Sequence, residues 1–184
     1  MRLLLLNGPP AIGKTTLARR YLDDHPLALS LDIDAIRCAM GQWERHDQSR
    51  DLARAHAVEL ARRHLAAGHD VVVPQLLGRL AFIEALDGVA RETGATFHEI
   101  LLWATEDETL RRFRARRAAL AAAGVSHPER FVEHDVATLA AIAGELAEVG
   151  RRRPSARVLM TVAGDVEGAY RELLRLLVEG SAQR

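Results

Sequence analysis

Five short apolar runs punctuate this chain, at residues 2–7, 27–31, 70–74, 97–103 and 156–162. Between them, apolar residues recur every three or four positions, at about 14–24, 34–40, 48–67, 79–94, 106–121, 130–149 and 165–179. The short runs suit strands buried in a sheet, and the three-to-four spacing lays apolar side chains along one face of a helix. Strands that alternate with helices predict an α/β fold, a parallel sheet between helical layers. At 184 residues the chain suits a single domain over 1–184, without internal repeats.

The first run passes into Gly8-Pro9-Pro10-Ala11-Ile12-Gly13-Lys14-Thr15, which fits the GxxxxGK[ST] phosphate-binding pattern, and helical spacing resumes from Thr15 and Thr16. Glycines at 8 and 13 allow the backbone to turn its N–H groups toward phosphate oxygens, and the helix start adds positive potential. Lys14 is the only lysine among 25 lysine and arginine residues. A composition so biased to arginine places a lysine where a phosphate loop needs a compact ammonium for the β and γ phosphates. The Thr15 hydroxyl is the expected Mg²⁺ ligand, and ATP with Mg²⁺ the expected cofactor pair.

Composition narrows the partners. Formal net charge is zero and aromatic residues make up 4% of the chain, which argues against a nucleic acid and for a small-molecule acceptor. No apolar stretch reaches about 18 residues, and the phosphate loop lies close to Met1, so a cytoplasmic location without membrane partners is expected. Cys38 is the single cysteine, and the eight histidines show no metal-ligand spacing.

Candidate chemistry clusters after the second, third and fourth runs. Asp32 and Asp34 follow the second, at the strand end where open α/β sheets bind ligands. Asp34 is the expected catalytic carboxylate, receiving the proton of an attacking hydroxyl. Asp32 shares its face if the segment is extended, and would touch substrate or Mg²⁺-bound water; the alternative for the pair is helix capping. The third run ends in Pro74-Gln75, where many P-loop proteins carry a metal-associated acid, so Gln75 and Arg79 become candidate substrate contacts. Their alternative is merely to end a strand and begin a helix. Arg111-Arg112-Phe113-Arg114-Ala115-Arg116-Arg117 sets five arginines within seven residues. Arg112 and Arg116 form an i,i+4 pair of like charges, unfavourable unless an anion such as a nucleotide phosphate lies beside them. The alternative is a solvated face paired with Glu106, Asp107 and Glu108. Residues 122–128 then break the helix, with Gly124 and Pro128 at the turns.

The phosphate loop, Asp32-x-Asp34-x-x-Arg37 and the arginine-rich helix before a break together resemble the P-loop kinase superfamily of small phosphotransferases. Within it the chain is similar to chloramphenicol phosphotransferase, polynucleotide kinase, gluconate kinases, zeta toxins and the tunicamycin-resistance ATP-binding proteins. The resemblance implies a P-loop NTPase fold with a five-stranded parallel sheet in the order 2-3-1-4-5. It also implies an arginine-bearing helical lid over about 111–131, with Arg116 catalytic and Arg112 on the nucleotide. Arg37 would grip substrate as in polynucleotide kinase, Asp34 matches the base proposed for chloramphenicol phosphotransferase, and residues 162–165 would face adenine. Gluconate kinases likewise lack an acid after the third strand, and the tunicamycin-resistance group has a proline there. The implied activity is ATP-dependent phosphoryl transfer to a hydroxyl of a nucleoside, sugar or antibiotic, the last making a resistance kinase. The alternatives are a polynucleotide 5′-hydroxyl kinase and a nucleotide-binding switch or ATPase.

Overall fold

The computed structural model describes residues 1–124 and 136–181, and its apolar runs form one five-stranded parallel sheet. In chain order the elements are β1 (Arg2–Asn7), α1 (Lys14–Asp24), β2 (Leu29–Ser30), α2 (Ile33–Cys38), a 3₁₀ turn (Trp43–Arg45), α3 (Gln48–Ala66) and β3 (Val71–Pro74). They continue with α4 (Leu80–Thr93), β4 (Thr96–Trp103), α5 (Glu106–Ala123), α6 (Val136–Arg152), β5 (Arg157–Met160) and α7 (Val166–Ser181). The strand order is β2-β3-β1-β4-β5, as the resemblance implied.

Central β1 explains the unbroken leucine run, because a middle strand of a parallel sheet is covered on both faces. Leu3 and Leu5 pack with Val71, Val73, Ile83 and Leu86 on one side, and Leu4 and Leu6 with Leu17, Tyr21, Tyr170 and Leu173 on the other. On α3 the buried residues Ala53, Ala57, Ala61 and Leu65 recur every four positions, so a stripe of mostly small side chains meets the core. Leu5 is fully buried at the centre of this packing, and its truncation to alanine costs about 2–5 kcal/mol.

Two boundaries differ from the expectation for physical reasons. The strand expected over 27–31 shortens to Leu29–Ser30 because Leu27 turns into the left-handed region (φ 65°) and Ala28 N–H donates back to His25 O. The run at 156–162 leaves the regular ladder after Met160, although Thr161 N–H still donates to Trp103 O at 2.7 Å. The expected helix over 130–149 is described from Val136, and residues 125–131 of the expected lid lie outside the described residues. Upstream of them, α5 ends on Gly124 in the left-handed region (φ 63°).

Helix α6 is fastened at its C-terminal end. Arg153 Nε donates to Glu99 Oε2 at 2.7 Å, and its NH2 lies 3.3 Å from Asp87 Oδ2. Burial pushes the Glu99 carboxyl above its usual range, against the pull of Arg153. Among the described residues, no helix is long and apolar enough to cross a membrane.

Candidate active site

A cavity of about 1100 Å³ opens over the C-terminal ends of β1, β2 and β3, where an open α/β sheet binds its ligands. The phosphate loop forms one wall. Gly8 (φ 149°), Ala11 (φ 62°) and Gly13 (φ 109°) give it the reversals that aim successive N–H groups inward. At Gly8 the requirement is also steric, because a Cβ would sit 2.7 Å from the Leu102 carbonyl oxygen of β4. Lys14 is buried, and its Nζ donates to the carbonyls of Gly8 at 2.9 Å and Pro9 at 2.7 Å. Pro10, Thr15 and Thr16 also line the cavity, whereas Ile12 is buried beneath the loop.

Asn7, which the sequence reading passed over, locks this loop to the segment that follows β3. Its Oδ1 accepts from Gly8 N–H at 2.8 Å and from Leu77 N–H at 2.9 Å, while its Nδ2 donates to Leu77 O at 2.9 Å. Asn7 is 1% exposed, so these bonds satisfy groups that water cannot reach. A polar residue at the end of an otherwise apolar strand, directly before Gly8, was the available signal.

Opposite the loop, α2 carries the acidic pair. Here the extended reading of Asp32 and Asp34 is corrected. Asp32 is the N-cap of α2, its Oδ1 accepting from Ala35 N–H at 3.1 Å, and Asp34 lies in the first turn. The two carboxylates therefore do not share the face of a strand, though both line the cavity. Gln75 sits beside the loop because its N–H donates to Leu6 O at 3.1 Å, and its Nε2 donates to Asp34 Oδ2 at 3.2 Å. Gln75 Oε1 is buried and without a hydrogen-bond partner. The position usually given to an acid thus holds an amide that supports the α2 carboxylate.

Arg79 stands apart. It is the exposed N-cap residue of α4 and is not in the cavity wall, so of the two candidate substrate contacts after the third strand only Gln75 lines the cavity. Arg37, in contrast, is buried and lines the cavity.

On α5, Arg112 and Arg116 both face the cavity, as their spacing implied. Arg112 is clamped: Nε donates to Glu108 Oε1 at 2.5 Å, and NH1 donates to Ile12 O at 3.3 Å and to Thr161 Oγ1 at 3.1 Å. It ties α5 to the phosphate loop and to the end of β5. Glu108 also accepts from Arg111 at 2.6 Å, and these bonds, from Arg112 first, hold its carboxyl below the usual range. Part of the alternative, a helix face laced by ion pairs, is therefore present in the same arginine run. Behind Arg112 a second cavity of about 290 Å³ is walled by Ile12, Thr16, Thr161, Val162 and Asp165, the stretch expected to face adenine.

Cavity residues that had no place in the sequence reading include Glu44 and Asp47, Arg50 and Arg54 of α3, and Glu145 of α6. The like-charge i,i+4 spacing that marked Arg112 and Arg116 also holds for Arg50 and Arg54. Nothing in the sequence shows which way α3 turns that pair.

Comparison with known proteins agrees with this construction. The AAA domain family matches residues 3–145. The chain belongs to that family. Solved structures similar to this AAA domain include the tunicamycin resistance protein of Deinococcus radiodurans, 18% identical over 97% of this chain and 94% of that one, with a TM-score of 0.58. The gluconokinase of Sinorhizobium meliloti 1021 is 17% identical over 96% and 91%, with a TM-score of 0.62. An APS kinase of Mycobacterium tuberculosis, in complex with AMPPNP and APS, is 17% identical over 96% and 97%, with a TM-score of 0.61. At such identities the likeness establishes the fold, that of the small P-loop kinases. No curated protein matches this AAA domain.

Proposed function

We propose that this protein transfers the γ-phosphoryl group of ATP to a hydroxyl of a small polar molecule. The observation that carries the reading is a single cavity with Lys14 and the phosphate loop on one wall and the Gln75-supported Asp34 on the other. A loop whose reversed backbone, glycine contact with Leu102 and buried lysine all suit phosphate oxygens fits the triphosphate. Thr15, at the first turn of α1, is the residue that would hold Mg²⁺. When bound, Mg²⁺ and the nucleotide supply the phosphoryl group and neutralise part of its charge.

The protein's own groups do the rest. Lys14 moves its ammonium from the Gly8 and Pro9 carbonyls to phosphate oxygens, exchanging neutral acceptors for charged ones. Asp34 takes the proton of the acceptor hydroxyl as its oxygen bonds to the γ-phosphorus and the bond to the β-phosphate oxygen breaks. The Gln75 amide orients the Asp34 carboxylate through its Nε2, and its buried Oε1 is left to accept from a second donor of the bound acceptor or from ordered water. Arg116 faces the same space and balances charge on the transferred group. Arg112, held against Ile12 and Thr161, acts from the nucleotide side.

An acceptor screen tests the reading. ATP, Mg²⁺ and a panel of nucleosides, sugars and hydroxylated antibiotics are incubated with the protein and analysed by mass spectrometry. A product heavier by one phosphoryl group is expected. ATP consumed only as hydrolysis across the panel would count against transfer and for a nucleotide switch. A 5′-hydroxyl oligonucleotide included in the panel, phosphorylated with steep salt dependence, would redirect the reading to a polynucleotide acceptor.

A further inference from the structure

Four of the five N–H donors that a guanidinium carries are occupied at Arg112, whose side chain is 14% exposed. Nε donates to Glu108 Oε1 at 2.5 Å, NH1 to Ile12 O at 3.3 Å and to Thr161 Oγ1 at 3.1 Å, and NH2 to Thr161 O at 3.5 Å. One N–H is left for a phosphate oxygen. Thr161 is buried and fixed in turn, its N–H donating to Trp103 O at 2.7 Å and its hydroxyl to the same carbonyl at 3.2 Å. With its hydrogen on Trp103, that hydroxyl can only accept from Arg112. Glu108, in the first turn of α5, supplies the opposite charge.

The remaining acceptor, Ile12 O, belongs to the phosphate loop itself. Across a planar trans peptide the carbonyl and the next N–H point in opposite directions, and no cis bond occurs among the described residues. Holding the Ile12 carbonyl on Arg112 therefore turns the Gly13 N–H the other way. Gly13 lines the large cavity, and its N–H donates to no protein acceptor among the described residues. That is the state a phosphate-binding donor needs. Sterics alone do not hold the peptide so, because nothing lies within 4 Å of the position a Gly13 Cβ would take, and glycine accepts either sign of φ. Turned over, the same peptide would set a carbonyl oxygen against the phosphates.

Resting on the phosphoryl-transfer reading for the seat of the triphosphate, we propose that Glu108 and Thr161 are positioning residues for the donor, acting through Arg112 on the Ile12–Gly13 peptide. Glu108 sets the guanidinium from α5, and Thr161 sets its other side from the end of β5. Between them it holds one loop carbonyl. The clamp acts on the phosphates alone, whatever base or acceptor accompanies them. It also gives Arg112 a task that its spacing to Arg116 did not suggest: aiming a backbone donor, with its own charge balanced by Glu108.

The test separates binding from transfer. Calorimetry measures AMPPNP and inorganic triphosphate, each with Mg²⁺, on wild type, Thr161→Val, Thr161→Ser and Glu108→Ala. Valine keeps the shape of threonine without the hydroxyl, so Thr161→Val should bind both ligands roughly tenfold more weakly, Glu108→Ala at least as weakly, and Thr161→Ser within about twofold of wild type. The loss should be equal for the two ligands, because inorganic triphosphate has no base. A loss confined to AMPPNP would place the pair in the base pocket and overturn the proposal. A lowered melting temperature with unchanged affinity, the mark of a merely structural role, overturns it too, as does a wild type that binds no triphosphate. The peptide itself is read in a nitrogen–proton correlation spectrum without ligand: the Gly13 amide resonance should move in Thr161→Val, and an unmoved resonance contradicts the route through that peptide. Should Glu108→Ala fail to fold by circular dichroism, the valine and serine variants of Thr161 decide the matter. Ligand binding weakened as expected, with no phosphorylated product from any acceptor, would leave the clamp standing and remove the phosphoryl-transfer reading.

Discussion

The two walls of the large cavity are built by opposite means. The donor wall is a backbone device: reversed torsions at Gly8, Ala11 and Gly13, with Asn7 bonding the loop to Leu77 and a buried lysine returning to its own carbonyls. The opposite wall, which the proposed function gives to the acceptor, is a side-chain device, in which Asp34, Gln75, Arg37 and Arg50 come from α2, α3 and the segment after β3. A wall made of backbone can recognise only what every nucleotide shares, its phosphates. A wall made of side chains from separate elements can change its ligand by changing a few residues while the fold stays as it is.

If that division is right, damage to the donor wall should be severe and indifferent to the acceptor. Lys14→Ala is expected to lower kcat/KM by about 10³-fold with every acceptor alike, read in steady-state kinetics. An acceptor-dependent loss would break the division. Next in size is Asn7→Leu, which leaves the buried N–H groups of Gly8 and Leu77 unsatisfied and should cost roughly 2–4 kcal/mol in urea unfolding. A loss below about 0.5 kcal/mol would show that the loop is held by other means.

These donor residues were also the legible ones. The strand and helix runs, the glycine loop and the single lysine are local in sequence, so the parallel sheet and the phosphate wall could be anticipated from them, whereas the strand order came from the resemblance. What escaped reading depends on packing at long range. Asp32 caps a helix whose start was placed one residue late, and Arg79 falls outside the wall because the chain after Gln75 turns it to the surface. Arg50 and Arg54 reach the site only because the alanine stripe of α3 fixes the rotation of that helix against the sheet. Ser49 carries no sequence signal at all; its hydroxyl accepts from Arg37 Nε and donates to Trp43 O only once the fold brings both to it.

On the acceptor wall smaller changes should be specific. Gln75→Glu sets a second carboxylate against Asp34 Oδ2, now 3.2 Å from the amide nitrogen. Like charges this close raise the pKa of the pair, so Asp34 loses its proton only at higher pH. The acid limb of the kcat/KM profile should move up by about one pH unit or more, and an unmoved limb would mean that Asp34 is not the group titrating. Smallest is Asp32. Serine also caps helices, so Asp32→Ser should match wild type in stability and turnover, while Asp32→Ala loses about 1 kcal/mol of stability. A serine variant that folds normally but loses acceptor affinity would give Asp32 a contact with substrate in addition to its cap.

The measurement closest to the central claim is phosphoryl transfer by Asp34→Asn, with AMPPNP affinity determined on the same preparation. Asparagine keeps the size of Asp34 and can still bond to Gln75, but it cannot take the hydroxyl proton. Transfer should fall by about 10²–10⁴-fold while nucleotide affinity stays within twofold of wild type, roughly the limit of such a comparison. Wild-type turnover in that variant would contradict the account.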